Sequence, residues 1–307
     1  NSIILSGAKG LGKSTLILYF INQVFNKESS HNKAHTANLI YNNTHPNMKF
    51  VSIEYDEKRN KFKNDININQ IRNLENFAYK SSIDNLPKFI VIDSSDDLNK
   101  SSANALLKML EEPKDNTYFI LIAHQLSNIL PTIRSRCIKY HMSKPNIDEF
   151  IKILRLNNVD QKIENIKFIF DLTNASPGLA IEVISEKIFQ IYDNIIKILI
   201  EKKPISNEIV NLSDYVGKFS NSDFKTFLIL LRFILITITK INLGYNFANM
   251  LSLKFIEIFK TPSNTLKNST LLNILEYLND NEKDLFAFNL DKKIFCLNIF
   301  KSLKNNS

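Results

Sequence analysis

A lysine and a serine closing a glycine-rich turn are the first residues here equipped for chemistry. Residues 7–14 read GAKGLGKS and satisfy G-x-x-x-x-G-K-[ST] at every fixed position. Gly7, Gly10 and Gly12 let the backbone fold tightly, so that the N–H groups of Ala8, Lys9 and Leu11 can turn towards a phosphate with theirs. Lys13 is placed to reach the β- and γ-phosphates of a nucleoside triphosphate. The Ser14 hydroxyl is placed to ligate Mg²⁺, with Thr15 next in line. The bland alternative is a glycine turn that binds nothing.

A second group of chemical residues lies in residues 88–137. Asp93 ends the apolar run Phe89, Ile90, Val91, Ile92, so a buried parallel strand delivers an acid at its C-terminal edge. That acid is the natural partner of a metal held by Ser14, either directly or through a ligand of that metal. His124 ends a second apolar run at 118–123, and Arg134 and Arg136 flank Ser135 in a basic turn opened by Pro131.

These residues need elements to hold them. Residues 2–6 read as a strand and 15–25 as a helix, the context a phosphate loop demands. Ala103, Leu106, Leu107 and Leu110 share one helical face. Pro113 ends that helix and pushes Glu112 out of the helical region. Ile68, Ile71, Leu74 and Ala78 predict a helix over 67–81, and residues 50–54 a strand. Residues 27–49 are Asn-rich and lack apolar periodicity, so they read as a loop. His31, His35 and His45 fall in it, and a solvated loop outweighs a metal site. Residues 58–63 form a basic run on a surface.

The wording of SSANALLKMLEEP and LPTIRSRC, with the phosphate loop, resembles the AAA+ subunits of bacterial clamp loaders, which open the sliding clamp for DNA polymerase III. Within that family the delta-prime subunits are the most similar. The resemblance covers most of residues 1–180 and is weak beyond 200. It implies an α/β P-loop AAA+ core over 1–143 (a parallel sheet flanked by helices), a small helical lid over 144–202 and an all-α collar over 203–307. It also implies ATP and Mg²⁺ as ligands. The partners it implies are the other subunits of a hetero-pentameric ring and, through the assembly, the sliding clamp and primed DNA. The setting it implies is the cytoplasm. Asn1 lies close to the first motif, so the reading expects a missing N-terminal piece; in the family that piece helps hold the adenine.

Four positions separate a motor from a scaffold on this resemblance. In hydrolysing members the acid-strand Asp is followed by Glu, which orients the attacking water; here Ser94 follows Asp93. A hydroxyl is a far poorer base than a carboxylate near neutral pH. Asp96 or Asp97 could substitute only along a different backbone path. Motor subunits carry a Ser-x-Arg at the start of a lid helix; Ser176-Pro177-Gly178 offers no charge there, nor does Leu179. His124 sits where the family places a small polar phosphate sensor; a strand-end His with no role is the alternative. Ser135-Arg136-Cys137 matches the motif that carries the family's arginine finger, which enters a neighbouring subunit's site. The alternative is an Arg closing a surface turn. Lys100, Ser101 and Lys108 face either DNA phosphates or plain solvent.

Composition bounds these readings. The chain has 307 residues, enough for two or three domains, and a formal net charge of +8. That charge permits nucleic-acid contact without establishing it. Cys137 and Cys296 are far apart and no CxxC occurs, so a cysteine zinc site is excluded and a disulfide framework is not expected. The greasiest run, 224–241, is broken by Lys225, Thr226, Arg232, Thr237, Thr239 and Lys240 and reads as a buried helix rather than a membrane span. Residues 147–156 and 163–172 are amphipathic helix candidates, and Ser176-Pro177-Gly178 starts another. The rivals are a gamma/tau-like motor ATPase of the same assembly, another P-loop protein such as a kinase or a repair AAA+ ATPase, and a stand-alone DNA binder with salt-sensitive affinity.

Overall fold

The computed structural model of the chain describes residues 1–28, 33–57, 61–63, 65–80, 82–83, 85–159, 163–184, 186–200, 207–245, 259, 262 and 266–305. They form two compact units, 1–144 and 145–307.

The first unit is an α/β layer structure. Its strands are β1 (Ser2–Ser6), β2 (Met48–Val51), β3 (Tyr55–Asp56), β4 (Lys61–Phe62), β5 (Lys88–Asp93), β6 (Thr117–Ala123) and β7 (Ile138–His141). Five of them form one parallel sheet in the order β2-β5-β6-β1-β7, while β3 and β4 make a small antiparallel pair. The central strands read as unbroken apolar runs because both sheet faces are covered: Ile90, Val91, Ile92, Leu121 and Ile122 have no exposed surface. Register then does the positioning. Ser6 pairs with Ala123 and Asp93 with Ile122, so the C-terminal ends of β1, β5 and β6 share one rim. Ligands of open parallel sheets bind at such a rim. This is the parallel sheet flanked by helices that the sequence led us to expect.

The helices of this unit are α1 (Lys13–Glu28), α2 (Lys33–Tyr41), α3 (Ile68–Tyr79), α4 (Lys100–Glu111) and α5 (Pro131–Arg134). Local chemistry sets their starts. Asn67 and Gln70 form a reciprocal capping box on α3, and the Asn99 side chain accepts from the Ser102 N–H to cap α4. Glu112 leaves the helical region at φ −125°, ψ 67°, as Pro113 requires.

Of residues 27–49, only 42–47 among the described ones are the loop that their composition suggested, and 29–32 lie outside the described residues. α1 runs on to Glu28, and α2 buries Thr36 and Ile40. His45 is buried, with its ring stacked on Phe25 at 4.0 Å between centroids. Burial lowers its pKa, so it is a neutral packing ring rather than a solvated one. His31 lies outside the described residues. β2 begins at Met48, ahead of the expected 50–54, because Met48 pairs with Phe89 and is itself buried. Of the basic run 58–63, residues 58–60 lie outside the described residues, and Lys63 pairs with Glu54 at 2.6 Å.

The second unit is all helical among the described residues: α6 (Ile147–Leu156), α7 (Ile163–Leu172), α8 (Pro177–Val183), α9 (Glu186–Ile200), α10 (Asn207–Gly217), α11 (Asn221–Asn242), and two further helices, Asn268–Ala287 and Lys292–Asn305. α11 is the buried helix expected over 224–241; Phe224, Phe227, Leu228, Leu231 and Ile234 have no exposed surface. No described helix is long and apolar enough to cross a membrane. The expected line between lid and collar, at 202, lies outside the described residues. One apolar cluster runs from Phe150 on α6 to Leu303 near the end of the last helix.

Asp171, in α7, has a carboxylate oxygen buried with no hydrogen-bond partner among the described residues. Burial pushes its carboxyl up from 3.8 to about 6, against an opposing pull from Lys240. The folded chain therefore keeps a proton that the unfolded chain has lost between these values. The resulting stabilisation is complete below 3.8 and is lost as pH rises through about 6. Asp171→Asn is expected to raise stability by about 1–2 kcal/mol near neutral pH, after allowance for solvent screening. Below pH 3.8, where both states are protonated, the gain should vanish. Urea denaturation at the two pH values checks this, and an equal gain at both would contradict it.

Candidate nucleotide site

The turn after β1 is built around Lys13. The Gly7 backbone has φ +150°, and a Cβ there would lie 2.6 Å from the Met142 carbonyl oxygen, so only glycine fits. Gly12 has φ +87°, and the space beside it is open for 4 Å. Lys13 is 3% exposed. Its ammonium donates to the carbonyls of Gly7 at 2.6 Å and Ala8 at 2.7 Å and lies 3.1 Å from His124 Nδ1. Burial lowers its pKa, while Asp93 and Asp96 pull the other way. The Ser14 hydroxyl donates to Asp93 Oδ2 at 2.5 Å. The turn thus brings together Lys13, Ser14, Asp93 and His124.

The ends of β5 and β6 are tied together. Ser94 is buried and donates its hydroxyl to Asp97 Oδ2 at 2.9 Å. The Asp96 carboxylate accepts the backbone N–H of His124 at 2.6 Å and that of Gln125 at 2.8 Å. Ser95 donates to the Ile122 carbonyl at 2.8 Å. Asp96 and Asp97 are thereby engaged as structural acceptors, which is poor provision for a general base. The clasp formed by Asp96 is the part of the site that sequence reasoning missed. Its partners lie 28 and 29 residues away, so no local spacing announces it.

His124 is partly buried. Burial lowers its pKa most, with Lys13 adding to the effect. A neutral ring beside an ammonium accepts through Nδ1, which puts the ring proton on Nε2. His124 also lines a cavity of 310 Å³ with Ser6, Gly7, Tyr140 and His141.

Arg136 stands elsewhere. It follows α5 and is exposed. Its Nη2 meets Glu111 Oε1 at 2.7 Å, and its Nη1 donates to the Thr132 carbonyl at 2.9 Å. Arg134 is less exposed, and its Nε is buried without a partner among the described residues. Lys100, Ser101 and Lys108 are exposed on α4. In the second unit, Ser176 caps α8 by accepting the Leu179 N–H at 3.3 Å, so Pro177 and Gly178 form its first turn and supply no charge. No cluster of metal-binding side chains occurs among the described residues.

Residues 1–146 match the family described as "DNA polymerase III, delta subunit". The chain is 32% identical to the DNA polymerase III subunit delta' of Buchnera aphidicola subsp. Baizongia pistaciae over 53% of this chain and 50% of that protein. It is 28% identical to the DNA polymerase III subunit delta' of Pseudomonas aeruginosa over 58% of this chain and 53% of that protein. A solved DNA polymerase III gamma subunit-related protein from Thermotoga maritima is similar at 18% identity with a TM-score of 0.45, covering 99% of this chain and 94% of that one. The chain thus spans about half the length of the curated relatives it matches. The N-terminal half of this chain is similar to the delta' subunits of DNA polymerase III.

Proposed function

We propose that this chain is a delta-prime-like subunit of a DNA polymerase III clamp loader, acting in DNA replication. On this reading it joins other loader subunits in a hetero-pentameric ring that works on the sliding clamp and primed DNA in the bacterial cytoplasm. The helical unit supplies a lid and a collar for that assembly. The similarity of residues 1–146 supports the family part of this reading.

The observation that carries the mechanism is a division of parts. The phosphate turn is intact and holds Lys13, Ser14 and Asp93 together. Ser94 occupies the place of the hydrolytic base, and its hydroxyl is committed to Asp97. Arg136 is exposed, and its guanidinium meets Glu111, Thr132 and Ser135. A chain with these parts binds ATP, hydrolyses it poorly or not at all, and lends Arg136 to a neighbour's site.

The turn fits ATP with Mg²⁺. The N–H groups of residues 7–14 and the α1 N-terminus would hold the phosphates, helped by the helix dipole. Lys13 would exchange its contacts with the Gly7 and Ala8 carbonyls for phosphate oxygens. Ser14 and Asp93 would hold the metal, which supplies charge neutralisation at the β- and γ-oxygens. His124 would report phosphate through its contact with Lys13.

Lys13→Ala is expected to weaken Mg·ATP binding by the free chain at least about tenfold, since it removes a charge-assisted phosphate contact. Titration with a fluorescent ATP analogue reads this, and undiminished affinity would sink the nucleotide assignment. The intact Ser14–Asp93 pair favours one second reading, a motor ATPase of the same assembly. That reading requires steady turnover by the chain alone.

A further inference from the structure

The turn that carries Arg136 is fixed at both ends. Ile133 and Cys137 are buried in the same apolar cluster as Leu106, Met109 and Leu110 of α4. Glu111 is the last residue of α4, and the chain leaves the helical region at Glu112. Its side chain therefore starts from a backbone position held by the core. The Arg136–Glu111 contact, at 2.7 Å, joins these two anchored ends across 25 residues of chain (136 − 111). The Thr132 carbonyl holds the other guanidinium nitrogen at 2.9 Å.

An exposed arginine otherwise samples many rotamers, and ordering it costs side-chain entropy. A guanidinium is a planar fork with five N–H donors. Glu111 and the Thr132 carbonyl orient the fork while leaving N–H groups to meet a phosphate oxygen. We infer that Glu111 is a positioning residue for Arg136, ordering the guanidinium before a neighbouring subunit presents its nucleotide. The inference rests on the proposed role of Arg136 in a neighbour's site. Glu111 acts through Arg136 and does not touch the nucleotide.

A double-mutant cycle tests it in a reconstituted loader containing the full chain and its ATPase partners. The variants are Glu111→Gln, Arg136→Ala and both together, with ring assembly checked by sizing. Two readouts are taken: the DNA- and clamp-stimulated ATPase rate, and the release of ADP–aluminium fluoride, which mimics the transferred phosphoryl group. Glu111→Gln should lower the rate at the completed site about fivefold and speed ADP–aluminium fluoride release, as loss of an exposed charge pair allows. The double variant should match Arg136→Ala alone, because Glu111 has nothing to position once Arg136 is gone. A full Arg136→Ala effect with no Glu111→Gln effect overturns the inference and leaves the proposed function standing. So does a Glu111→Gln loss that persists undiminished in the Arg136→Ala background. Arg136→Ala without effect overturns both.

Discussion

A loader assembled with Arg136→Ala is expected to keep its ring and lose most of the ATP hydrolysis at the site which this chain completes. The guanidinium stands exposed on an ordered turn, held by Glu111 and the Thr132 carbonyl. In other NTPases an arginine supplied to the transferred phosphoryl contributes on the order of 10³–10⁵ in rate. Only one site of the assembly should suffer, so the total rate falls less than that site's own. Arg136→Lys should recover little, because a single ammonium cannot reproduce the fork. Since Arg136 is exposed and its ion pair is of the weak surface kind, the chain's own stability should hardly change. A stimulated ATPase assay beside a thermal melt separates the two effects. A lowered melt with an unchanged rate would make Arg136 a structural residue.

The second large effect concerns the fold under the site. Lys88 opens β5 yet is only 3% exposed. Its ammonium closes the C-terminal end of α3, donating to the Phe77 carbonyl at 2.6 Å and also to the Lys80 carbonyl, and it lies 4.8 Å from the centre of the Phe77 ring. These carbonyls belong to the last turn of the helix or just beyond it, where a cation also suits the helix dipole. Lys88→Met keeps the aliphatic bulk and leaves the carbonyls without their donor. Hydrogen bonds to a charged group contribute about 1.5–3 kcal/mol each, and they share one donor here, so the expected loss is about 3 kcal/mol. Urea denaturation measures it, and hydrogen exchange should locate it in β5 and α3. A loss under about 0.5 kcal/mol, the range of an ordinary surface substitution, would contradict this account.

How much of this was written in the sequence depended on how far apart the partners lie. α6 and α7 fall on 147–156 and 163–172 as the periodicity predicts, and Asn146 with Glu149 forms a capping box whose members are three residues apart. Lys13, Ser14, Asp93 and His124 were legible for another reason: each ends or follows a strand of the parallel sheet, and register brings those ends to one rim. α2 was hidden because its nine residues bury only Thr36 and Ile40, too little for a periodic signal. His45 read as solvated because its partner Phe25 is 20 residues away (45 − 25), on α1. The partners of Lys88 and Asp96 are also remote in sequence, which is why neither role was legible. The Glu111–Arg136 pair was equally silent, although both residues lie in the stretch that is most similar to the clamp-loader family.

The central claim is that this chain completes a site it does not own. Its most direct measurement is the first-turnover burst of ATP hydrolysis in a rapidly mixed loader, comparing the natural chain with Arg136→Ala at equal ring assembly. The account predicts a burst smaller by one site's worth of ATP, with the remaining sites unchanged. A burst of full size would contradict it, leaving Arg136 a surface residue and returning attention to hydrolysis in this chain's own phosphate turn.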